Sequence, residues 1–184
     1  MCSTEIRLQK PRKSTVLRTF RFPSRLEEAL ETEAQSRGLS PNALVSLVLT
    51  KMVNWDRFAD RIESVTVTDD LFKPIIDEMS EEKVIALAQT VGVRAASDAM
   101  MFWSKEVSLD SFLVYLDNKC RYSGYGKLEY ENRTRSHVLV LQHDLGIKWS
   151  IFLQHVTDGI LSKRLNLSPR FETSESNVTI HFSC

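Results

Sequence analysis

Residues Val16–Val53 read VLRTFRFPSRLEEALETEAQSRGLSPNALVSLVLTKMV, and the fold of the amino-terminal region turns on this stretch. From Thr15 to Phe22 the chain alternates, which predicts a short strand. Val16, Phe20 and Phe22 fall on one face, with Arg18 an imperfect member of it, and Leu17, Thr19 and Arg21 fall on the other. Pro23 ends the strand, because it has no N–H to give to a ladder. Ser24 is placed to cap a helix, with Glu27 three residues on completing a capping box. Leu26, Leu30 and Ala34 then recur every fourth residue as one narrow apolar stripe. Glu27, Glu28 and Glu31 crowd the first turns, where the helix dipole favours anions. Gly38 offers a left-handed stop. Ser40 caps a second helix, and Pro41 takes its first position, where a missing N–H costs nothing. Leu44, Val45, Val48, Leu49, Met52 and Val53, with Leu47 beside them, make that helix apolar over much of its girth. Such a helix must be buried against more than one neighbour. One strand and two helices of this size close no core alone, so a second copy of the chain is the expected neighbour.

The formal net charge of the 184 residues is zero, but it is unevenly spread. Residues 1–54 carry nine Lys and Arg against five Glu, a net +4, which leaves −4 for the remainder. Residues 1–25 alone carry seven basic residues against one acidic. A cationic segment beside a strand with an outward basic and hydroxyl face is suited to meet a polyanion. The apolar and charged fractions, 42% and 26%, are those of an ordinary globular protein. No apolar run approaches the ~20 residues needed to span a bilayer, so no membrane partner is expected. No apolar stretch follows the basic amino terminus, so a secretory signal is not expected either. Cys2, Cys120 and Cys184 are scattered and odd in number, which suits a reducing cytoplasm rather than a disulfide framework.

The expected organisation is a disordered basic arm over 1–14, a strand–helix–helix module over 15–54, a linker or helix extension over 55–63, and an α+β domain over 64–184. In that last region Val65–Val67 suggests a short strand and 70–79 a helix with Pro74 near its start. Ser80 caps a helix that stops at Gly92, and 95–103 forms another. Ser108 caps a helix bearing Phe112, Leu113, Tyr115 and Leu116. The segment RYSGYG, 121–126, is turn chemistry. Strands over 127–133 and 137–143 form a hairpin, Asp144 caps a long helix through Trp149 to Leu161, and strands over 170–173 and 178–182 form a second hairpin.

The phase of Leu26, Leu30, Ala34, Gly38 and Ser40, preceded by Arg21-Phe22-Pro23 and followed by the Leu44/Val45/Val48/Leu49 face, resembles the ribbon-helix-helix family of transcriptional regulators. The resemblance covers about 40 residues. It implies that two chains pair their strands antiparallel and that the resulting ribbon enters the major groove of double-stranded DNA. By position the base-reading residues would be Leu17, Thr19 and Arg21. An arginine there can make a bidentate contact to guanine. Leu17 departs from the polar residue usual at its place, and Arg18 departs from an expected apolar one. Phosphate would be held at the start of the second helix, by free N–H groups at Ser40, Asn42 and Ala43. Arg18, Lys10, Arg12 and Lys13 would add backbone contacts. The assembly implied is a homodimer, with a dimer of dimers on tandem sites.

The carboxy-terminal region carries no phosphate loop, dinucleotide fingerprint or nucleophile elbow, and no catalytic constellation emerges. Its paired carboxylates Asp69-Asp70 and Glu81-Glu82 lie at helix starts, where capping accounts for them. His137 and His143 share a strand face and His155 follows on the next helix, but no tight metal-ligand spacing is present, so no metal and no cofactor are expected. The aromatic residues Phe102, Trp103, Phe112, Tyr115, Tyr122, Tyr125, Tyr130, Trp149 and Phe152 either line a ligand pocket or build a core. The expected function is therefore a non-enzymatic, sequence-specific DNA-binding regulator. Two alternatives stay open, an antitoxin-like partner-binding protein that regulates its own synthesis, and a ligand or metal sensor acting through the second domain.

Overall fold

Helix signals run through most of the first 120 residues and strand signals cluster after them, and the computed structural model follows that division. It describes residues 16–133 and 136–183. The fold is mixed α+β, with one four-stranded antiparallel sheet. The chain divides into two compact units, with the boundary between Ile62 and Glu63.

In the first unit, residues 16–23 lie in neither helix nor strand, so the strand expected over 15–22 is not formed within one chain. A strand needs a ladder partner for its backbone groups, and no described segment of this unit supplies one. Helix α1 spans Ser24–Ser36. Ser24 is its first residue rather than its cap, and Pro23 holds the cap position without a side-chain bond, so the expected Ser24/Glu27 capping box is absent. The prolyl carbonyl instead accepts from Leu26 and Glu27. The other end matches its signal. Gly38 takes φ +63°, its N–H donates to Gln35 O, and Leu39 N–H donates to Ala34 O, the paired closure that a left-handed glycine permits.

Helix α2, Pro41–Lys51, starts at Ser40, whose Oγ accepts from Ala43 N–H at 3.2 Å. The helix runs on without a break through a π-helical segment, Met52–Asp56, into α3, Arg57–Arg61. One π turn brings residues five apart into line, and Lys51 Nζ sits 3.0 Å from Asp56 Oδ1. Trp55 and Phe58 are buried, with their rings edge to face at 5.9 Å.

The second unit begins with residues 64–68 in no regular structure. Val65 is 83% exposed, and the strand expected over 65–67 does not form. Helix α4 spans Asp69–Asp77, with Pro74 inside it. Helix α5, Glu81–Leu87, is capped by Ser80. It does not stop at Gly92. A second π segment, Ala88–Gly92, carries it directly into α6, Val93–Ser104. Gly92 has ordinary helical φ and is needed for space, since a Cβ there would collide with Val156 Cγ2. The notch is reciprocated, because a Cβ on Gly159 would collide with Val93 Cγ2. Two helices thus approach closely by trading a glycine for a valine in each direction.

Helix α7, Leu109–Tyr122, opens with a capping box between Ser108 and Ser111. Strands β1, Lys127–Arg133, and β2, Ser136–Gln142, form the first hairpin pair. Helix α8, Ile147–Leu161, begins two residues later than an Asp144 cap would place it. Its cap is Gly146, at φ +83°, with no side-chain bond. Strands β3, Arg170–Thr173, and β4, Asn177–Ser183, form the second hairpin. The strand order β1-β2-β4-β3 joins both hairpins into one sheet, with β2 against β4 at its centre. Alternation then sets the faces. Leu139, Leu141, Val178 and Ile180 are fully buried, while Val138, Val140, Thr179 and His181 on the other face stay partly open. Helix α8 touches β3 and β4 and also α5 and α6, which is why it is apolar around most of its circumference.

Candidate nucleic-acid interface

Alternation in residues 16–22 sorts side chains into two sets. Phe20 and Phe22, two apart, stack at 6.3 Å with ring planes 19° from parallel. They line a groove with Leu26 and Leu30 from α1 and Val45, Val48 and Leu49 from α2, and every lining residue is apolar. The groove holds about 240 Å³ and lies open. Leu47, Val48, Leu49, Met52 and Val53 all remain about half exposed, so the wide apolar face of α2 is left without a full cover among the described residues. Only Leu44 of α2 is buried.

Leu17, Thr19 and Arg21, the other set, do not line the groove and are exposed, Leu17 at 92%. Arg18 is exposed as well. Among the described residues none forms a hydrogen bond or ion pair with Arg21. Lys10, Arg12 and Lys13 lie outside the described residues.

The start of α2 differs in detail from the expected anion site. Ala43 N–H is already engaged by Ser40 Oγ, and Leu44 N–H donates to Ser40 O. Asn42 N–H has no acceptor among the described residues and sits on an exposed turn. Phosphate would thus meet Asn42 N–H first, with the Ser40 hydroxyl competing for Ala43.

In the second unit the aromatic residues are mostly packed on one another. Trp149 stacks on Phe152 at 4.8 Å and meets Phe72 and Tyr125 edge to face at 5.3 and 5.2 Å. The Tyr115 and Tyr125 hydroxyls are 3.1 Å apart, and burial raises the pKa of both. Lys119 lies over the Tyr125 ring at 5.0 Å, and burial lowers its ammonium to about 8. His137 bonds Tyr130 Oη through Nδ1 at 2.6 Å and stacks on Phe182. His143 is buried and bonded to Ser150, and it shares a face with His137, which is buried too. No group of three or more His, Cys, Asp or Glu among the described residues is arranged to hold a metal ion. An open acidic cleft, lined by Asp69, Asp70, Asp77, Glu78 and Asp144 with Lys73, runs beside α4. Sequence reasoning missed it because Asp144 is remote in the chain from the α4 carboxylates. Among the described residues no helix is long and apolar enough to cross a membrane. No family model matches this chain, and no curated protein matches it.

Proposed function

We propose that the first unit pairs with a second copy of itself as a ribbon-helix-helix module and that the paired strands read double-stranded DNA in the major groove. The observation that carries this reading is the open, wholly apolar groove of Phe20, Phe22, Leu26, Leu30, Val45, Val48 and Leu49, with Leu17, Thr19 and Arg21 turned away from it. An apolar face of this extent is unfavourable in water, and a copy of the same face covers it by two-fold symmetry. Pairing residues 16–22 with their own copy also supplies the ladder that a single chain lacks. The ribbon so formed carries Thr19 and Arg21 outward, and Asn42 N–H follows as a phosphate anchor. The net +4 of residues 1–54 favours the polyanion, while the −4 remainder does not. The second unit would then serve as the regulatory or oligomerising part of a transcriptional regulator, with no catalytic role.

Selection of bound duplexes from a random pool, with the full-length protein, tests the proposal. Recovery of a short motif in palindromic or tandem half-sites is the expected result. A pool that stays random at low salt, from a protein shown to be dimeric, rejects DNA readout.

A further inference from the structure

We propose that His143 is a proton-sensitive latch, which while neutral holds the Leu145 backbone of the loop leading into α8 against the end of β2, and which releases that loop on gaining a second proton. The side chain is 7% exposed at the point where these segments meet. Its backbone N–H donates to Ser176 O at 2.8 Å. Leu145 N–H approaches the ring Nδ1 at 3.2 Å, and Ser150 Oγ lies 2.8 Å from Nε2. Ser150 Oγ also donates to Ser174 O at 2.6 Å. Gly126, at φ +117°, brings the α7–β1 loop against the same residue, where a Cβ would stand 3.1 Å from His143 Cβ.

These contacts have one consistent direction. A backbone N–H can only donate, so Nδ1 must be the acceptor and the ring proton must sit on Nε2. Nε2–H then donates to Ser150 Oγ, whose own hydrogen goes to the Ser174 carbonyl. No link in this series can reverse, because neither the Leu145 amide nor the Ser174 carbonyl can change role. A second proton on the ring belongs on Nδ1, where it faces the Leu145 N–H donor to donor in a buried site. The Leu145 contact must then break, and the loop leading from β2 into α8 loses its tie to the ring, while Nε2–H keeps its bond to Ser150.

The charged surroundings do not offset this. Asp144, adjacent in the chain, favours the protonated ring, but burial outweighs it and the pKa lies below the usual histidine value. Lys73 of α4 reaches Asp144 O at 3.4 Å, and Lys148 of α8 is held by the carbonyls of Asp77 and Met79. Glu175 of the β3–β4 turn is exposed. Among the described residues no carboxylate hydrogen-bonds the imidazole, whose ring partners are Leu145 N and Ser150 Oγ. With the folded-state pKa depressed, the stabilisation is complete above about pH 6.5 and is lost as pH falls through the folded pKa. Between those limits the opening equilibrium rises up to about tenfold per pH unit.

The test uses the full chain with 15N-labelled histidine, titrated from pH 8 to 4.5, with amide exchange followed at Leu145. The expected result is an Nε2–H tautomer at pH 7, a His143 pKa below 6.5, and Leu145 exchange, corrected for its intrinsic pH dependence, that accelerates as the ring titrates. His143→Gln, which cannot gain a charge, should remove that pH dependence. An Nδ1–H tautomer, a pKa at or above 6.5, or corrected Leu145 exchange that ignores the titration would overturn the latch. The wild-type readings stand alone if the variant does not fold.

Discussion

Replacing Val48 by aspartate puts a carboxylate at the centre of the groove through which two copies are proposed to pair. Val48 is 54% exposed in the single chain and lines the groove beside Phe20, Phe22 and Leu49. Half of a valine side chain remains to be buried by a partner, worth ~1 kcal/mol on the scale of about 1.5–3 kcal/mol for a whole aliphatic side chain. The substitution forfeits that and leaves a carboxylate without a partner, which costs roughly 3–5 kcal/mol when desolvated. Two-fold symmetry presents the change twice, so the dimer loses about 8–12 kcal/mol, or at least roughly five orders of magnitude in dissociation constant. The single chain, by contrast, already leaves the site half open, and its own fold should be little affected. Sedimentation equilibrium on wild type and Val48→Asp checks this across nanomolar to tens of micromolar concentration, with circular dichroism to confirm retained helix. The expected outcome is a wild-type dimer and a helical monomeric variant. A variant that dimerises as tightly as wild type, or a wild type that is monomeric at tens of micromolar, refutes the assignment of this groove to a second copy.

Arg21→Ala should preserve the dimer, since its side chain lies outside the groove, and should weaken binding to a selected duplex by roughly one to four orders of magnitude, from ~1–3 kcal/mol at each of two guanine contacts; an unchanged gel shift would exclude Arg21 from readout. Wild-type affinity should also fall steeply with salt, with log K changing by about 0.9 per phosphate neutralised for each decade of salt, where a flat titration would contradict phosphate anchoring. A fragment of residues 63–184 should melt cooperatively on its own in scanning calorimetry, because the buried residues of α6, α7, α8 and the sheet all fall within it; a broad, heat-free transition would show that this unit depends on the first. Cys120 should resist alkylation in the native protein, because burial, with Asp117 adding to it, pushes its thiol up to about 12 and cuts the thiolate fraction roughly a thousandfold near neutral pH. The comparison is best made with Cys2 and Cys184 changed to serine, with native and denaturant-unfolded samples side by side, and equal alkylation rates would contradict the burial of Cys120.

Where a structural choice is local, the residues themselves determined it. Gly38 had to be the left-handed stop after α1, since the two bonds that close the helix need positive φ just there. Ser40-Pro41 and Ser108 start helices with groups that lie within three residues of one another. Period-two patterning marked the two hairpins as strands, and it separated Phe20 and Phe22 from Thr19 and Arg21. Other features depended on contacts between residues far apart, and these only the tertiary structure decided. Gly92 looked like a helix end, yet it is helical and small because Val156, 64 positions on, occupies the space a side chain would need. Asp144 looked like a cap, yet the cap of α8 is Gly146, and His143 is seated against Leu145 and Ser150. The acidic cleft likewise joins α4 to a loop some 70 residues later. The residues at 16–22 carry a strand's pattern without a strand's ladder, since hydrogen bonds between strands belong to a pair of segments and one segment cannot make them alone.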